Sequence, residues 1–309
     1  MTATVHDDTM SSAPPAVPAS ASAAPWDKPS MVPPAHAASD ASGPPSPTAT
    51  GTHVWDRVWQ YCPGAAEDDA RLARELQHPR WGGIVDRLTS TFGSIRGLRT
   101  VELGSGRGDV SVLLARCGAD VTLLDYSDRA LSQARRRFDR LGLRATYARA
   151  DLTQGLHDYA ARFDVAASYG VIEHFRGRMR TRVVRAHHDV LRPGGLAVIS
   201  VPNAACLPYR LWKAYLDLRG WWPYGMEQPY TRRELTRRAV RAGFVKSETM
   251  TMAFGQAVHA SWYRRVFARR LDDPGRPSRL DRWMGSTLVL FGWRAPRAQG
   301  HATVPAHDA

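Results

Sequence analysis

The chain has 309 residues and a formal net charge of +13 at pH 7, with 42 Lys and Arg against 29 Asp and Glu. No apolar run in the sequence has the roughly 20 residues that a membrane-spanning helix requires. The three cysteines, Cys62, Cys117 and Cys206, are too far apart for a metal-binding pattern and favour a reduced, cytoplasmic protein.

The first part of the chain, residues 1–52, is rich in Ala, Pro, Ser and Thr and nearly lacks large apolar residues. Such a segment cannot bury enough surface to offset the entropy lost on ordering, so we predict a disordered extension rather than a signal peptide. Residues 53–294 are predicted to form one domain, followed by a flexible tail at 295–309. Helices are expected around Val54–Trp59 and Glu67–Phe92, closing one side of a cleft.

A glycine-rich loop, Gly104-Ser-Gly-Arg-Gly108, follows the first predicted strand, Arg99–Leu103, and opens a helix. Glycine lets the backbone turn sharply and approach a ligand closely, so the loop is predicted to hold a nucleotide-type cofactor. A dinucleotide fingerprint would have its third glycine at the sixth position, where Asp109 stands. The loop is instead preceded by an acid two residues before the first glycine, Glu102.

Acidic residues follow the next two predicted strands. Asp125 ends the run 119–124, at the offset of about twenty residues at which a carboxylate binds ribose hydroxyls in Rossmann-like folds. Ser127 is expected to cap the helix 128–141, which Gly142 ends. The third strand, 147–152, carries Asp151. In isolation, either acid could equally be an ordinary turn residue.

The fourth predicted strand, Phe163–Ser168, runs into Tyr169-Gly-Val-Ile-Glu-His174, and the fifth lies within Leu191–Ser200. Because open α/β sheets bind ligands beyond the carboxyl ends of their strands, the Glu173–His174 pair is placed beside the cofactor.

Taken in this order, the five motifs between residues 95 and 205 resemble those of class I S-adenosylmethionine-dependent methyltransferases, and the Glu-His pair is similar to the ubiquinone-biosynthesis type. The resemblance implies an α/β, Rossmann-like, doubly wound sheet of seven mostly parallel strands with an antiparallel last strand, and S-adenosylmethionine as cofactor. It implies that Glu102 holds the amino-acid end of the cofactor and Asp151 the adenine. The implied cofactor-binding residues are Glu102, Gly104, Ser105, Gly106, Gly108, Asp125, Tyr126, Asp151, Leu152 and Tyr169.

His174 and Glu173 are the candidate catalytic residues. His174 is the candidate general base, because a neutral imidazole with a reference pKa of about 6.5 can take a proton from a hydroxyl near pH 7. The alternative is a structural role, in which Glu173 and His174 cap the next helix or fix the loop. His187 and His188 are predicted to be surface residues, and no metal is expected.

Two insertions are expected beside the cleft. The first, 203–230, is predicted to be a lid whose aromatic residues either bind substrate or pack on the sheet edge; they are Trp212, Tyr215, Trp221, Trp222 and Tyr224. The second, 256–273, combines Trp262, Tyr263, Val266 and Phe267 with arginines. It is predicted to contact a membrane surface or a partner, or to be buried against the lid.

The basic charge raises the alternative of nucleic-acid binding. However, Arg135, Arg136 and Arg137 are predicted to lie on an exposed helix face, and the arginines of the helix after Thr231 on another. A solvated basic surface is therefore favoured over a nucleic-acid site.

The sequence thus predicts methylation of a hydroxyl on a small molecule of secondary metabolism. N- or C-methylation, an RNA substrate and a non-catalytic cofactor-binding protein remain alternatives.

Overall fold

Seven strands form the central sheet of the computed structural model, which describes residues 52–260 and 278–297. They are β1 Arg99–Leu103, β2 Asp120–Asp125, β3 Thr146–Arg149, β4 Phe163–Tyr169, β5 Leu191–Pro202, β6 Lys246–Met252 and β7 Thr287–Trp293. Their spatial order is β3-β2-β1-β4-β5-β7-β6. The first five strands pair in parallel, and β7 is antiparallel to both of its neighbours. The predicted Rossmann-like fold with an antiparallel last strand is confirmed.

Helices alternate with the strands along the chain. They are α1 Thr52–Val58, α2 Ala65–Gln77, α3 Pro79–Phe92, α4 Asp109–Arg116, α5 Asp128–Arg140, α6 Met179–Val190, α7 Leu207–Leu218, α8 Arg232–Ala242, α9 Phe254–Ala260 and α10 Asp281–Met284. The predicted helical segment Glu67–Phe92 is divided into α2 and α3, because His78 precedes a proline and is extended, with φ −67° and ψ 132°.

The sheet is covered on both faces by apolar side chains. Alternate residues of β1 point to opposite faces, and Val101 and Leu103 belong to the apolar cluster on one side, which includes Val183 of α6. Val165 of β4 and Phe138 of α5 belong to the apolar cluster on the other side. Because both faces are buried, binding residues are left at the edge where the parallel strands end.

Ser127 caps α5 as predicted, and Thr231 caps α8. The Ser127 hydroxyl accepts a hydrogen bond from the Ala130 amide at 3.3 Å, and the Thr231 hydroxyl accepts one from the Glu234 amide at 3.1 Å. The end of the third strand differs slightly from expectation, because β3 stops at Arg149, before Asp151.

The predicted exposure of Arg137 was wrong: the residue is 3% exposed. Its guanidinium donates to the Asp68 carboxylate at 2.8 Å, to Asp109 at 2.5 Å and to the Arg107 carbonyl at 3.1 Å. Burial of this cation is tolerated because both carboxylates are paired with it. Arg135 and Arg136 are exposed, as predicted.

The predicted exposure of His187 was also wrong, because this residue is fully buried in α6. Its Nδ1 lies 2.8 Å from the Val183 carbonyl oxygen, one turn earlier in the same helix. Burial lowers the pKa of His187 to about 4, so the ring is neutral at pH 7.

The segment 203–230 leaves the sheet and returns to nearly the same point. Asn203 and Tyr230 form a bridge, in which the Tyr230 amide donates to the Pro202 carbonyl at 3.0 Å and the Ala204 amide to the Tyr230 carbonyl at 2.9 Å. Between these ends lies α7. The second predicted insertion, 256–273, begins within α9, and its residues 261–273 lie outside the described residues. Residues 1–51 and 298–309 also lie outside them. No helix among the described residues is long and apolar enough to span a membrane.

Candidate functional site

The backbone of the glycine loop has a conformation and close contacts that a side chain at any of its glycines would disturb. Gly104, Gly106 and Gly108 have φ values of +67°, +52° and +68°. A Cβ at Gly104 would lie 2.9 Å from the Val171 side chain, and one at Gly106 would lie 2.6 Å from the Trp59 indole. The loop therefore lies directly against the segment that carries Glu173 and His174, and against the chain that follows α1.

Glu102 lies at the end of β1 and is 5% exposed. Its carboxylate accepts a hydrogen bond from the Ser111 hydroxyl of α4. Burial raises the pKa of Glu102 to about 8, although the hydrogen bond from Ser111 opposes that shift. A cation placed beside this carboxylate would lower its pKa again, so Glu102 is suited to pair with an ammonium group.

Asp125 links the end of β2 to the glycine loop. Its Oδ2 accepts from the Gly106 amide at 2.8 Å and its Oδ1 from the Ser127 amide at 2.9 Å. Burial raises the pKa of Asp125, and the backbone hydrogen bonds oppose that rise. Because each carboxylate oxygen can accept more than one hydrogen bond, Asp125 can still bind a pair of hydroxyls.

The remaining predicted cofactor residues differ in their environment. Asp151 is exposed, and its Oδ1 accepts from both the amide and the hydroxyl of Thr153 at 2.8 Å, while the neighbouring Leu152 is buried. Tyr126 is half-buried beside Asp125. Two buried hydroxyl oxygens, Ser105 Oγ and Tyr169 Oη, have no hydrogen-bond partner among the described residues.

Arg80 of α3 is a residue that the sequence reasoning missed. Its Nη2 lies 2.6 Å from the Glu75 carboxylate, its Nη1 lies 3.1 Å from Ser200 Oγ, and its guanidinium lies 5.0 Å from the centre of the Tyr169 ring. The sequence gives only its position after Pro79, at the beginning of a helix. Nothing in the local pattern indicates that the side chain points toward the ends of β4 and β5.

Glu173 and His174 form a short 3-10 helix with Ile172, and they are 2% and 7% exposed. The Nδ1 atom of His174 lies 2.8 Å from the Met226 carbonyl oxygen, so it is the protonated ring nitrogen when the imidazole is neutral. Burial lowers the pKa of His174 to about 4. The ring is therefore neutral at pH 7, with its Nε2 as the basic nitrogen.

A second carboxyl group, Glu227, lies beside this pair. One oxygen or nitrogen from each of Glu173, His174 and Glu227 lies within 4.8 Å of the others, a separation that a metal ion could bridge. Burial raises the pKa of Glu227 to about 8, and burial together with Glu227 raises the pKa of Glu173 well above its usual range. The Tyr209 hydroxyl donates to Glu227, whereas Glu173 Oε2 is buried with no partner among the described residues. The expectation that no metal binds remains a prediction.

Aromatic rings extend outward from His174. Trp55 of α1 meets the imidazole edge to face, with ring centres 4.8 Å apart, and lies 6.4 Å from Tyr224. Trp222 lies 5.5 Å from Tyr224. Two of the five predicted substrate residues therefore reach the histidine through Trp55, which the sequence reasoning did not select.

The other three predicted substrate residues form a separate group. Trp212 stacks on Tyr215 at 5.6 Å, and Tyr215 meets Trp221 edge to face at 6.2 Å. Tyr215 and Trp221 are 40% and 41% exposed. This group lies on the outer part of the insertion.

Comparisons with known proteins agree with this geometry. Residues 101–195 match a family model described as a methyltransferase domain. The chain is 35% identical over 121 residues to a ubiquinone biosynthesis O-methyltransferase from Ruegeria pomeroyi, which covers 39% of this chain and 48% of that protein. It is 29% identical over 218 residues to the corresponding protein from Azorhizobium caulinodans, covering 67% and 81%. The chain spans about half the length of several of these curated relatives.

Among solved structures, a candidate sarcosine dimethylglycine methyltransferase from Galdieria sulphuraria matches with a TM-score of 0.51 and 15% identity, over 70% of this chain and 85% of that one. This likeness supports the fold alone. The family match and the curated relatives show that residues 101–195 belong to a methyltransferase domain, and the predicted resemblance to class I, S-adenosylmethionine-dependent methyltransferases is confirmed. S-adenosylmethionine is the cofactor of that class.

Proposed function

We propose that this protein transfers the methyl group of S-adenosylmethionine to a hydroxyl of a small molecule. The observation that carries the proposal is the contact between Gly104 of the cofactor loop and Val171, three residues before the neutral His174. Because the two segments touch, a methyl donor held by the loop would lie next to a group that can accept a proton.

The polar groups at the strand ends fit the cofactor. Glu102 would pair with its ammonium, Arg80 with its carboxylate, Asp125 with its ribose hydroxyls and Asp151 with its adenine. The loop from Gly104 to Gly108, together with Tyr126, Leu152 and Tyr169, would line the same site. The unpartnered hydroxyls of Ser105 and Tyr169 support this assignment, because buried polar atoms in native proteins normally have a partner.

The reaction requires alignment more than covalent help, since the bound cofactor supplies an electrophilic methyl group. Proximity can lower the barrier by about 7–11 kcal/mol. His174 would accept the hydroxyl proton on Nε2, because the Met226 carbonyl holds the proton on Nδ1. Glu173, beside it, would orient the loop through its own backbone, whose carbonyl accepts from the Gln228 amide at 2.9 Å.

The substrate class follows from the walls of the site. Trp55 lies against His174, and Tyr224 and Trp222 continue the row of rings outward from Trp55, so an aromatic ring that bears the hydroxyl would bind against this row. Methylation of oxygen is favoured over nitrogen or carbon by the names of the relatives, which are O-methyltransferases. A role in secondary metabolism, a cytoplasmic location and a peripheral membrane contact stay predictions.

Cofactor binding can be tested separately from catalysis. Calorimetry with S-adenosylmethionine should give micromolar affinity, about −8 kcal/mol, in the wild type. Gly106→Val combined with Asp125→Ala should abolish the heat of binding, because the first change obstructs the loop and the second removes the ribose acceptor. Unimpaired binding in this double variant would reject the cofactor assignment.

Catalysis can be tested with a panel of phenols, using mass spectrometry to locate the added methyl group on oxygen. His174→Ala should lower kcat by about 10²-fold while leaving cofactor affinity unchanged, as expected for loss of a general base. His157→Gln, a change at an exposed histidine, is the matched control. Because the pKa of His174 is about 4, wild-type kcat should show no loss from imidazole protonation between pH 7 and pH 5. Near-normal kcat in His174→Ala would leave the residue a structural role only.

A further inference from the structure

A small cavity lies behind the cofactor loop, between the chain that follows α1 and one face of α5. Its volume is about 190 Å³. It exceeds the roughly 30 Å³ share of one water molecule but is smaller than the 300 Å³ or more of pockets for drug-sized ligands. The residues that matter for its chemistry are Cys62, Asp68, Arg107, Gln133, Arg136 and Arg140.

Two buried polar atoms on residues that line this cavity lack partners. Arg107 is 8% exposed, and its Nε has no hydrogen-bond partner among the described residues; the same is true of Oε1 of Gln133, which is 6% exposed. The amide of Gln133 cannot simply be reversed, because its Nε2 donates to the Trp59 carbonyl at 2.7 Å and to the Tyr61 carbonyl at 3.1 Å. The cavity thus offers a charged donor and a neutral acceptor.

The charges around the cavity are unbalanced toward the positive. Asp68 is paired with Arg137 and with Arg140, each at 2.8 Å. Arg107 and Arg136 form no ion pair within this set, and the Arg136 guanidinium lies 3.6 Å from Cys62 Sγ. Burial and the neighbouring arginines lower the pKa of Arg107, so an anion beside it would relieve an existing repulsion.

We propose that this cavity binds a phosphate group, either inorganic phosphate or the phosphate of a small ester. Arg107 and Arg136 would donate to its oxygens, and Gln133 would accept from a protonated oxygen or from a hydroxyl of the ester. Arginine suits this role because its donors match the geometry of phosphate oxygens.

The position of Arg107 couples this cavity to the cofactor loop. The residue lies between Gly106 and Gly108, and its carbonyl oxygen accepts from Arg137 Nη1 at 3.1 Å. Phosphate bound to Arg107 would restrict the loop in its binding conformation. By linkage, phosphate and S-adenosylmethionine should then raise each other's affinity by the same factor.

Cys62 provides a direct measurement that does not depend on methyl transfer. Its modification by a thiol reagent can be followed by mass spectrometry of the full chain in increasing inorganic phosphate, with chloride at matched ionic strength as the salt control. The rate should fall by about tenfold at a phosphate concentration of about ten times Kd, because only the unbound protein reacts. Glycerol 3-phosphate forms a second arm, and protection at lower concentrations than inorganic phosphate would identify an ester as the preferred ligand.

The variants decide whether the protection is specific. Phosphate should no longer protect Cys62 in Arg107→Gln or in Arg136→Gln, a change on the exposed surface. Protection should remain in Arg129→Gln, which removes the same charge from an exposed part of α5. The Arg136 variant keeps the test valid if the Arg107 variant does not fold. Equal protection in all variants, or in chloride, would overturn the proposal. Loss of cofactor binding in the earlier experiment would leave this result unaffected.

Discussion

Replacing His187 with glutamine should reduce the amount by which the free energy of unfolding falls at acid pH. The ring is fully buried, and its pKa falls from 6.5 to about 4 on folding, so the unfolded chain binds the proton more strongly. Its contribution to stability is therefore complete above pH 6.5 and is lost as the pH falls toward 4. Between pH 6.5 and pH 5 the protein loses this stability over about 1.5 pH units. At about 1.4 kcal/mol per unit, the free energy of unfolding falls by about 2 kcal/mol.

Urea unfolding at pH 7 and pH 5 measures this difference directly. The free energy of unfolding should fall by about 2 kcal/mol less in His187→Gln than in the wild type over this interval, whatever the absolute stability of the variant. His157→Gln is the control, because His157 is exposed. If the wild type and His187→Gln show the same pH dependence, His187 does not stay neutral in the folded state and the assignment is wrong.

Other changes test the loop, the buried ion pairs and the insertion. Gly106→Ala should destabilise the fold by about 1–2 kcal/mol in thermal unfolding, and weaken S-adenosylmethionine binding at least tenfold in calorimetry, because φ is +52° and the new Cβ would meet Trp59. Unchanged affinity would contradict this. Arg137→Met should lower the free energy of unfolding by about 3–5 kcal/mol, since it leaves the Asp68 carboxylate buried with weaker compensation; a loss below 1 kcal/mol would show that solvent compensates instead. Tyr230→Phe should lower that free energy by about 1 kcal/mol through loss of one hydrogen bond at 3.2 Å, measured by urea unfolding. No change would mean that the bond contributes nothing.

The positions of the strands and of the motifs could be predicted because they depend on local patterns, whereas the antiparallel last strand was implied by the family resemblance. Each parallel strand is a short apolar run, and the loop glycines occur where a strand must turn into a helix. The edge that carries Glu102, Asp125 and His174 then follows from the rule that ligands bind beyond the carboxyl ends of strands. These predictions require no knowledge of which helices pack together.

The errors concern residues whose environment is set by distant parts of the chain. Arg137 counts as polar in the pattern of α5, but its carboxylate partner Asp68 belongs to α2, 69 residues earlier. Arg80 and Trp55 are brought to the site by the packing of α3 and α1, which no periodicity reports. Apolar patterns indicate that a face is buried; they do not indicate which charged side chain finds a partner there.

The bridge between Asn203 and Tyr230 closes the aromatic insertion at its base, so the insertion can be exchanged as one segment. Its two ends lie side by side beyond the end of β5, so a segment of different length or composition can replace it without displacing a strand. On the proposed function, in which this segment binds the substrate, exchange of the one segment would change the substrate preference while the strand ends that face the cofactor stay the same. A chimera that carries the insertion of a relative between these two residues should fold on this sheet and adopt the donor's substrate range.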